Sequence, residues 1–333
     1  MTSARRPGLG LLLVAAALVA AAAARIFSGS SGFGWPDDAI VRFRVNALAT
    51  AASVGAALAV AGLFLQVLLR NALASPFVLG LSSGAGFGYM LALYVAYAFG
   101  VELRGVLGVA APTAAATVGS IVTLAIVWRL GVRRGVAEPL TLVLSGVVVG
   151  AIASAGSTAL QSLVPTGLRG EFVGWMTGRI PDAPPLGLVA TVGALALLST
   201  AIGTWLAPAL DAAMLSDDEA AATGVSVSRL RATLFVLSGV LTAACVALAG
   251  PIAFVGLVAP HAARFLLGAR HRPLVVGSAL AGAALLVAAD AIRQAIDLGG
   301  GRLPVGVLTA LVGGPVFLML LRSRAVRISG GMP

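Results

Sequence analysis

The side chains able to do covalent or metal chemistry are few in this chain of 333 residues. Its one cysteine, Cys245, lies inside an apolar run, so no internal disulfide and no thiolate metal cluster can form. The two histidines, His261 and His271, stand apart from any second ligand pattern, and HExxH is absent. Gly80 to Gly86, GLSSGAG, sets serines among glycines as some nucleophile motifs do. The same residues suit a close helix interface, which is the preferred reading. All 22 basic residues are arginine, so the P-loop route to ATP hydrolysis, which needs a lysine on the phosphates, is closed. What remains is acidic. Of the 12 acids, Asp211, Asp217, Asp218 and Glu219 fall in the stretch Asp211 to Arg231. Ser216 and Glu219 have the spacing of a capping box, carboxylates suit a helix start, and Gly224 is a natural stop. The spacing predicts a short polar helix at Asp217 to Val225, fit for docking a soluble partner. No catalytic residue, metal or cofactor is expected.

The elements that hold this helix are apolar. Hydrophobic residues make up 59% of the chain and charged residues 10%. A soluble domain carries about 25% charged residues, so the chain reads as an all-α polytopic membrane protein in the lipid bilayer. Its net charge of +10 is spread over short loops, which points to membrane orientation and not to nucleic acid. Apolar runs extend over Leu9 to Phe27, Ala47 to Leu69, Val78 to Phe99, Gly105 to Val127, Leu140 to Val164 and Leu186 to Leu206. Four more cover Ala232 to Ala249, Ile252 to Leu267, Leu274 to Ile296 and Val305 to Leu321. The first has the flanks of a signal peptide but is long enough to span, and is read as a retained span. The eighth is short and holds Pro260, His261 and Arg264. Ten spans with both termini inside leave only Arg25, Arg42, Arg44, Arg104, Arg169, Arg179, Arg293 and Arg302 outside. Dropping the eighth span would put Arg322, Arg324 and Arg327 outside as well, against the positive-inside rule. In this topology the whole chain, 1–333, is one transmembrane domain with a cytoplasmic loop at 211–231.

Small residues recur four apart at Gly80, Gly84 and Gly88 and at Gly146, Gly150 and Ser154, a pattern for close helix packing in lipid. A weak echo links Arg42-Phe-Arg44, Gly62 and Pro76 to Arg229-Leu-Arg231, Gly250 and Pro260, in opposite orientations, as in an inverted repeat. Asp290 is the one acid well inside a run, with Arg293 one turn on as its natural partner. An ion-coupled secondary transporter, the alternative reading, normally carries more buried acids than this. An intramembrane enzyme would need a catalytic constellation, which is missing.

Three groups of residues resemble signatures of the FecCD-type permeases, the membrane subunits of ABC importers for iron-siderophores, haem and cobalamin. The first is Gly62 to Gln66, Arg70-Asn71 to Pro76, and Gly80 to Ala85. The second is Gly250 to Leu257 with Pro260, His261 and Arg264. The third is Pro304-Val-Gly306 with Gly313 to Phe317. The chain departs from the pattern at Ala72, Ser75, Ala47, Arg293 and Arg302. The resemblance implies that Asp217, Asp218, Glu219, Ala220, Gly224 and Val225 dock on a pair of ATPase subunits, which would hydrolyse ATP elsewhere than in this chain. It implies a second permease, the same or a paralogue, and an extracytoplasmic substrate-binding protein. The family's fifth and tenth spans line the pathway, which nominates Ser154, Ser157, Thr158, Gln161 and Thr309. Arg42, Arg44, Arg293 and Arg302 are expected to meet carboxylates on the binding protein.

Overall fold

Each of the ten apolar runs forms a helix, because in lipid only the helix satisfies every backbone group locally. The computed structural model describes residues 7–29, 32–35, 37–102, 105–133, 136–181, 183–296 and 302–329. Arg5, Arg6, Arg104 and Arg134, which entered the orientation count, lie outside them. The first five runs form α1 (Pro7–Phe27), α2 (Asp38–Leu68), α3 (Leu81–Ala98), α4 (Gly105–Gly131) and α5 (Pro139–Ser162). An amphipathic helix, α6 (Thr166–Met176), precedes α7 (Leu186–Trp205). Two short helices follow, α8 (Ala207–Ala212) and α9 (Asp217–Ala222). The last four are α10 (Val227–Ala249), α11 (Val255–Leu267), α12 (His271–Ala295) and α13 (Val305–Ser329). Among the described residues, seven helices are long and apolar enough to cross a membrane. Of the other three runs, α3 has 18 residues and α11 only 13. The apolar part of α13 ends at Met319. At 13 residues α11 falls well short of the roughly 20 that a span needs.

Burial sorts the helices. In α2 and α10, 72% and 67% of the most apolar window is buried, against 22% in α1 and α5. So α2 and α10 form the centre, while α1, α4, α5 and α7 turn aliphatic side chains such as Leu12, Ile121, Ile152 and Leu197 outward. α2 packs on α12, α10, α7 and α11; α3 packs between α4 and α5. The predicted small-residue faces make these contacts. A Cβ on Gly88 would stand 2.1 Å from the Ala115 carbonyl of α4, and one on Gly146 would stand 2.6 Å from the Val78 carbonyl. Two two-residue ladders close tight loops, Ser28–Gly29 with Gly32–Phe33 and Val132–Arg133 with Val136–Ala137. They leave the architecture helical.

Candidate functional site

The polar stretch between α7 and α10 is a built elbow. Pro208 starts α8 where a missing N–H costs nothing. Asp211 at its end accepts the backbone N–H of His271 at 3.0 Å and lies 2.6 Å from His271 Nδ1, so it caps α12 from a neighbouring element. α9 is fastened at both ends. Ser216 Oγ accepts the Glu219 N–H at 3.2 Å, and Glu219 Oε2 accepts the Ser216 N–H at 2.9 Å, completing the predicted capping box. The Ser216 N–H first, and then the Ser216 hydroxyl donating to Glu219 Oε2 at 2.7 Å, hold the Glu219 carboxyl below its ordinary range. At the other end Gly224 sits at φ 84°. Its N–H donates to the Ala221 carbonyl at 2.9 Å and that of Val225 to Ala220 at 3.3 Å, a Schellman closure. Ala220 is fully buried where α9 lies on α8 and α10. Asp217, Asp218, Glu219 and Gly224 face solvent. Asp217 Oδ1 also receives Arg70 at 2.6 Å and Arg231 at 2.9 Å. Sequence reasoning missed both arginines, one just past the end of α2 and one in α10.

The residues of the first two signatures meet where α2 crosses α11. Pro260 has no N–H to give the carbonyl of Gly256 four residues back. Gln66 Nε2 donates to that carbonyl at 3.5 Å, while Gln66 Oε1 accepts from Arg264 at 3.4 Å. The crossing requires glycine at 62, since a Cβ there would lie 1.8 Å from the Gly256 oxygen. His261, next to Pro260 on α11, is partly buried. Asn71 Oδ1 accepts the Leu73 N–H at 3.0 Å and turns the chain towards Pro76, which opens a 3-10 turn ending at Gly80. The third signature meets α6 and α10. The Gly306 N–H, just after Pro304, donates to the Gly178 carbonyl at 3.1 Å, and the Arg179 N–H to Ala249, beside Gly250, at 2.8 Å.

The pathway candidates sit as follows. Ser154 and Thr158 are exposed, Gln161 is partly buried and Ser157 is buried. Ser157, Thr158 and Gln161 all donate to carbonyls four residues back on α5. Only Ser154 Oγ crosses to a neighbour, Ser83 of α3, at 3.1 Å. Thr309 is buried and donates to Gly306 at 3.0 Å. It borders an apolar cavity of about 150 Å³ with Phe254, Leu285 and Val312. Near the start of α13, a wider cavity of about 490 Å³ is lined by Phe77, Ser82, Met176, Thr177, Gly306 and Ala310. It joins α6, the foot of α3 and α13, a junction that no periodicity in the sequence announces.

The four arginines read as an outer patch divide. Arg42 and Arg302 are exposed. Arg44 is buried and donates to the Ile26 carbonyl. Arg293 is buried and its Nε donates to Asp290 at 2.8 Å, the partner expected from spacing. Asp290, with no exposure, also receives Arg25 from α1, a pairing across 265 residues that sequence could not show.

Residues 8–323 match the model of the FecCD transport family. The hemin transport system permease protein HmuU of Yersinia pestis is 34% identical over 329 residues, covering 96% of each chain. The cobalamin import system permease protein BtuC of Halobacterium salinarum is 35% identical over 303 residues, 89% of this chain and 77% of that one. The ferric enterobactin transport system permease protein FepG of Escherichia coli is 34% identical over 290 residues, 85% of this chain and 82% of that one. A solved structure described as an inward-facing conformation of a metal-chelate type ABC transporter matches with a TM-score of 0.83 at 29% identity. The match covers 95% of this chain and 99% of that one.

Proposed function

We infer, from the premise that this chain belongs to the FecCD transport family and is the membrane permease subunit of an ABC importer, that it carries iron-siderophore complexes, haem or cobalamin. The observation that carries the mechanism is the elbow of α8 and α9. It is a short helix capped at both ends, exposed on one side and anchored by Ala220 on the other. Such a part can transmit a push without deforming. ATP would be hydrolysed on a separate pair of ATPase subunits seated against Asp217 to Val225. Both termini and the elbow would lie on the cytoplasmic side. A second permease copy or a paralogue would face α5 and α13, and substrate would pass along Ser154, Ser157, Thr158, Gln161 and Thr309. A binding protein would deliver it, with exposed Arg42 and Arg302 as the positive contacts.

Asp290 also argues for an external energy source. Two arginines saturate it, so it offers no open carboxylate to a proton or sodium relay. The test is reconstitution in liposomes with radiolabelled ferric siderophore, haem and cobalamin. Uptake of one of them only with ATPase, binding protein and ATP is the expected result. Accumulation driven by a proton or sodium gradient without the ATPase would overturn it.

A further inference from the structure

Arg70 lies two residues past the end of α2 in a conformation that costs an ordinary residue free energy. Its φ is 44°, left-handed backbone that favours glycine. The side chain shows why an arginine stands there. Its Nε donates to the Ala213 carbonyl at the end of α8 at 2.8 Å. Its terminal nitrogen meets Asp217, the first residue of α9, at 2.6 Å. One planar guanidinium therefore holds both arms of the elbow and sets the angle between them, a task suited to a rigid fork. Arg231, near the start of α10, completes the arrangement. It donates to the same Asp217 oxygen at 2.9 Å and to the Ala137 carbonyl at 3.4 Å. Ala137 stands two residues before α5 begins.

From these contacts we propose that Asp217, Arg70 and Arg231 form the transmission joint between the elbow and the membrane helices α2, α10 and the foot of α5. Asp217 is then a positioning residue through its Oδ1, which takes both arginines, and the exposed Asp218, Glu219 and Gly224 carry the surface that faces the ATPase. The inference rests on the reading that the elbow seats an ATPase. Asp217 and Arg70 are partly exposed, and a pair of that kind breaks and reforms cheaply, as a moving joint requires.

Arg70→Gly gives the sharpest test. It removes both bonds while relieving the left-handed strain, so a merely structural residue and a positioning residue give opposite results. The full complex of permease, ATPase and binding protein is reconstituted, and substrate moved per ATP hydrolysed is measured beside ATPase retention and the melting temperature. We expect retention and melting close to wild type and a ratio lower by about fivefold or more, the low end of coupling between linked sites. Arg70→Lys, which keeps a charge for Asp217 but loses the fork, should recover part of the ratio. If Arg70→Gly does not fold, Asp217→Asn, which keeps the shape and drops the charge, decides by the same ratio. A wild-type ratio in the folded variant overturns the proposal. So does loss of the ATPase from both variants, which would make these residues direct contacts. If the wild-type permease itself retains no ATPase, the elbow reading falls, and this inference falls with it.

Discussion

Two carboxylates in this molecule each accept from two arginines, and they differ in burial. Asp217 is 49% exposed between Arg70 and Arg231, and Asp290 is 0% exposed between Arg25 and Arg293. Water reaches the Asp217 carboxylate and Arg70 at the first site, and it is kept from the Asp290 carboxylate at the second. The same pattern of charge therefore makes an adjustable joint in one place and a fixed clamp in the other. The clamp ties α1, one of the two least buried spans, to α12, which packs on the central α2.

The largest effect should come from breaking the clamp. Asp290→Ala leaves two arginines buried without their carboxylate and should cost about 3–5 kcal/mol. Thermal unfolding in detergent would measure it. A triple change of Arg25, Asp290 and Arg293 to methionine should recover most of the loss, because apolar residues replace a buried ionic group well. If Asp290→Ala melts like wild type, the clamp is not formed in the membrane. Next comes the cap of α9. Ser216→Ala should cost about 0.5–2 kcal/mol of local helix stability. Faster amide exchange confined to residues 217–222 is the expected readout.

Asp217→Asn should hardly register in unfolding. The Asp217 carboxylate is half in water, where ion pairs contribute about 0–1 kcal/mol, so the variant's melting temperature should stay within a few degrees of wild type. A large drop would mean that the elbow is as rigid as the clamp, and the contrast between the two sites would vanish.

How far these sites could be read from the sequence follows from the range of their contacts. The capping box, the Gly224 stop and the Asp290–Arg293 pair lie within a few residues, and spacing alone showed them. The apolar runs showed their helices for the same reason. Arg25, Arg44, Arg70 and Arg231 look alike in sequence, as charges at the ends of spans. Packing turns Arg44 inward and gives Arg25 a partner 265 residues away. α6 was missed because its Arg169 and Glu171 interrupt any apolar run. It is held instead by Tyr89 of α3, which stacks on Trp175 with ring centroids 4.4 Å apart and whose hydroxyl lies 3.2 Å from Glu171. The FecCD motif residues could be named from their resemblance to the family's signatures. That Gln66 satisfies the carbonyl that Pro260 strands needed the crossing of α2 and α11.

The smallest effect sharpens the contrast most cleanly, because it needs no change to either arginine pair. Glu219 has its carboxyl held below the ordinary range, first by the backbone N–H of Ser216 and then by its hydroxyl. A carboxyl whose value is lowered by folding stabilises the fold fully above its unfolded value. That contribution fades as pH falls through the lowered folded value. The cap on α9 should therefore be whole at neutral pH and loosen only in acid. A spin label placed by Asp218→Cys would report this as mobility rising on acidification; Cys245 is buried and would not compete for the label. Glu219→Gln keeps a group able to complete the capping box but cannot titrate. In that background the mobility change should shrink, and a change of the same size would show that Glu219 does not cause it.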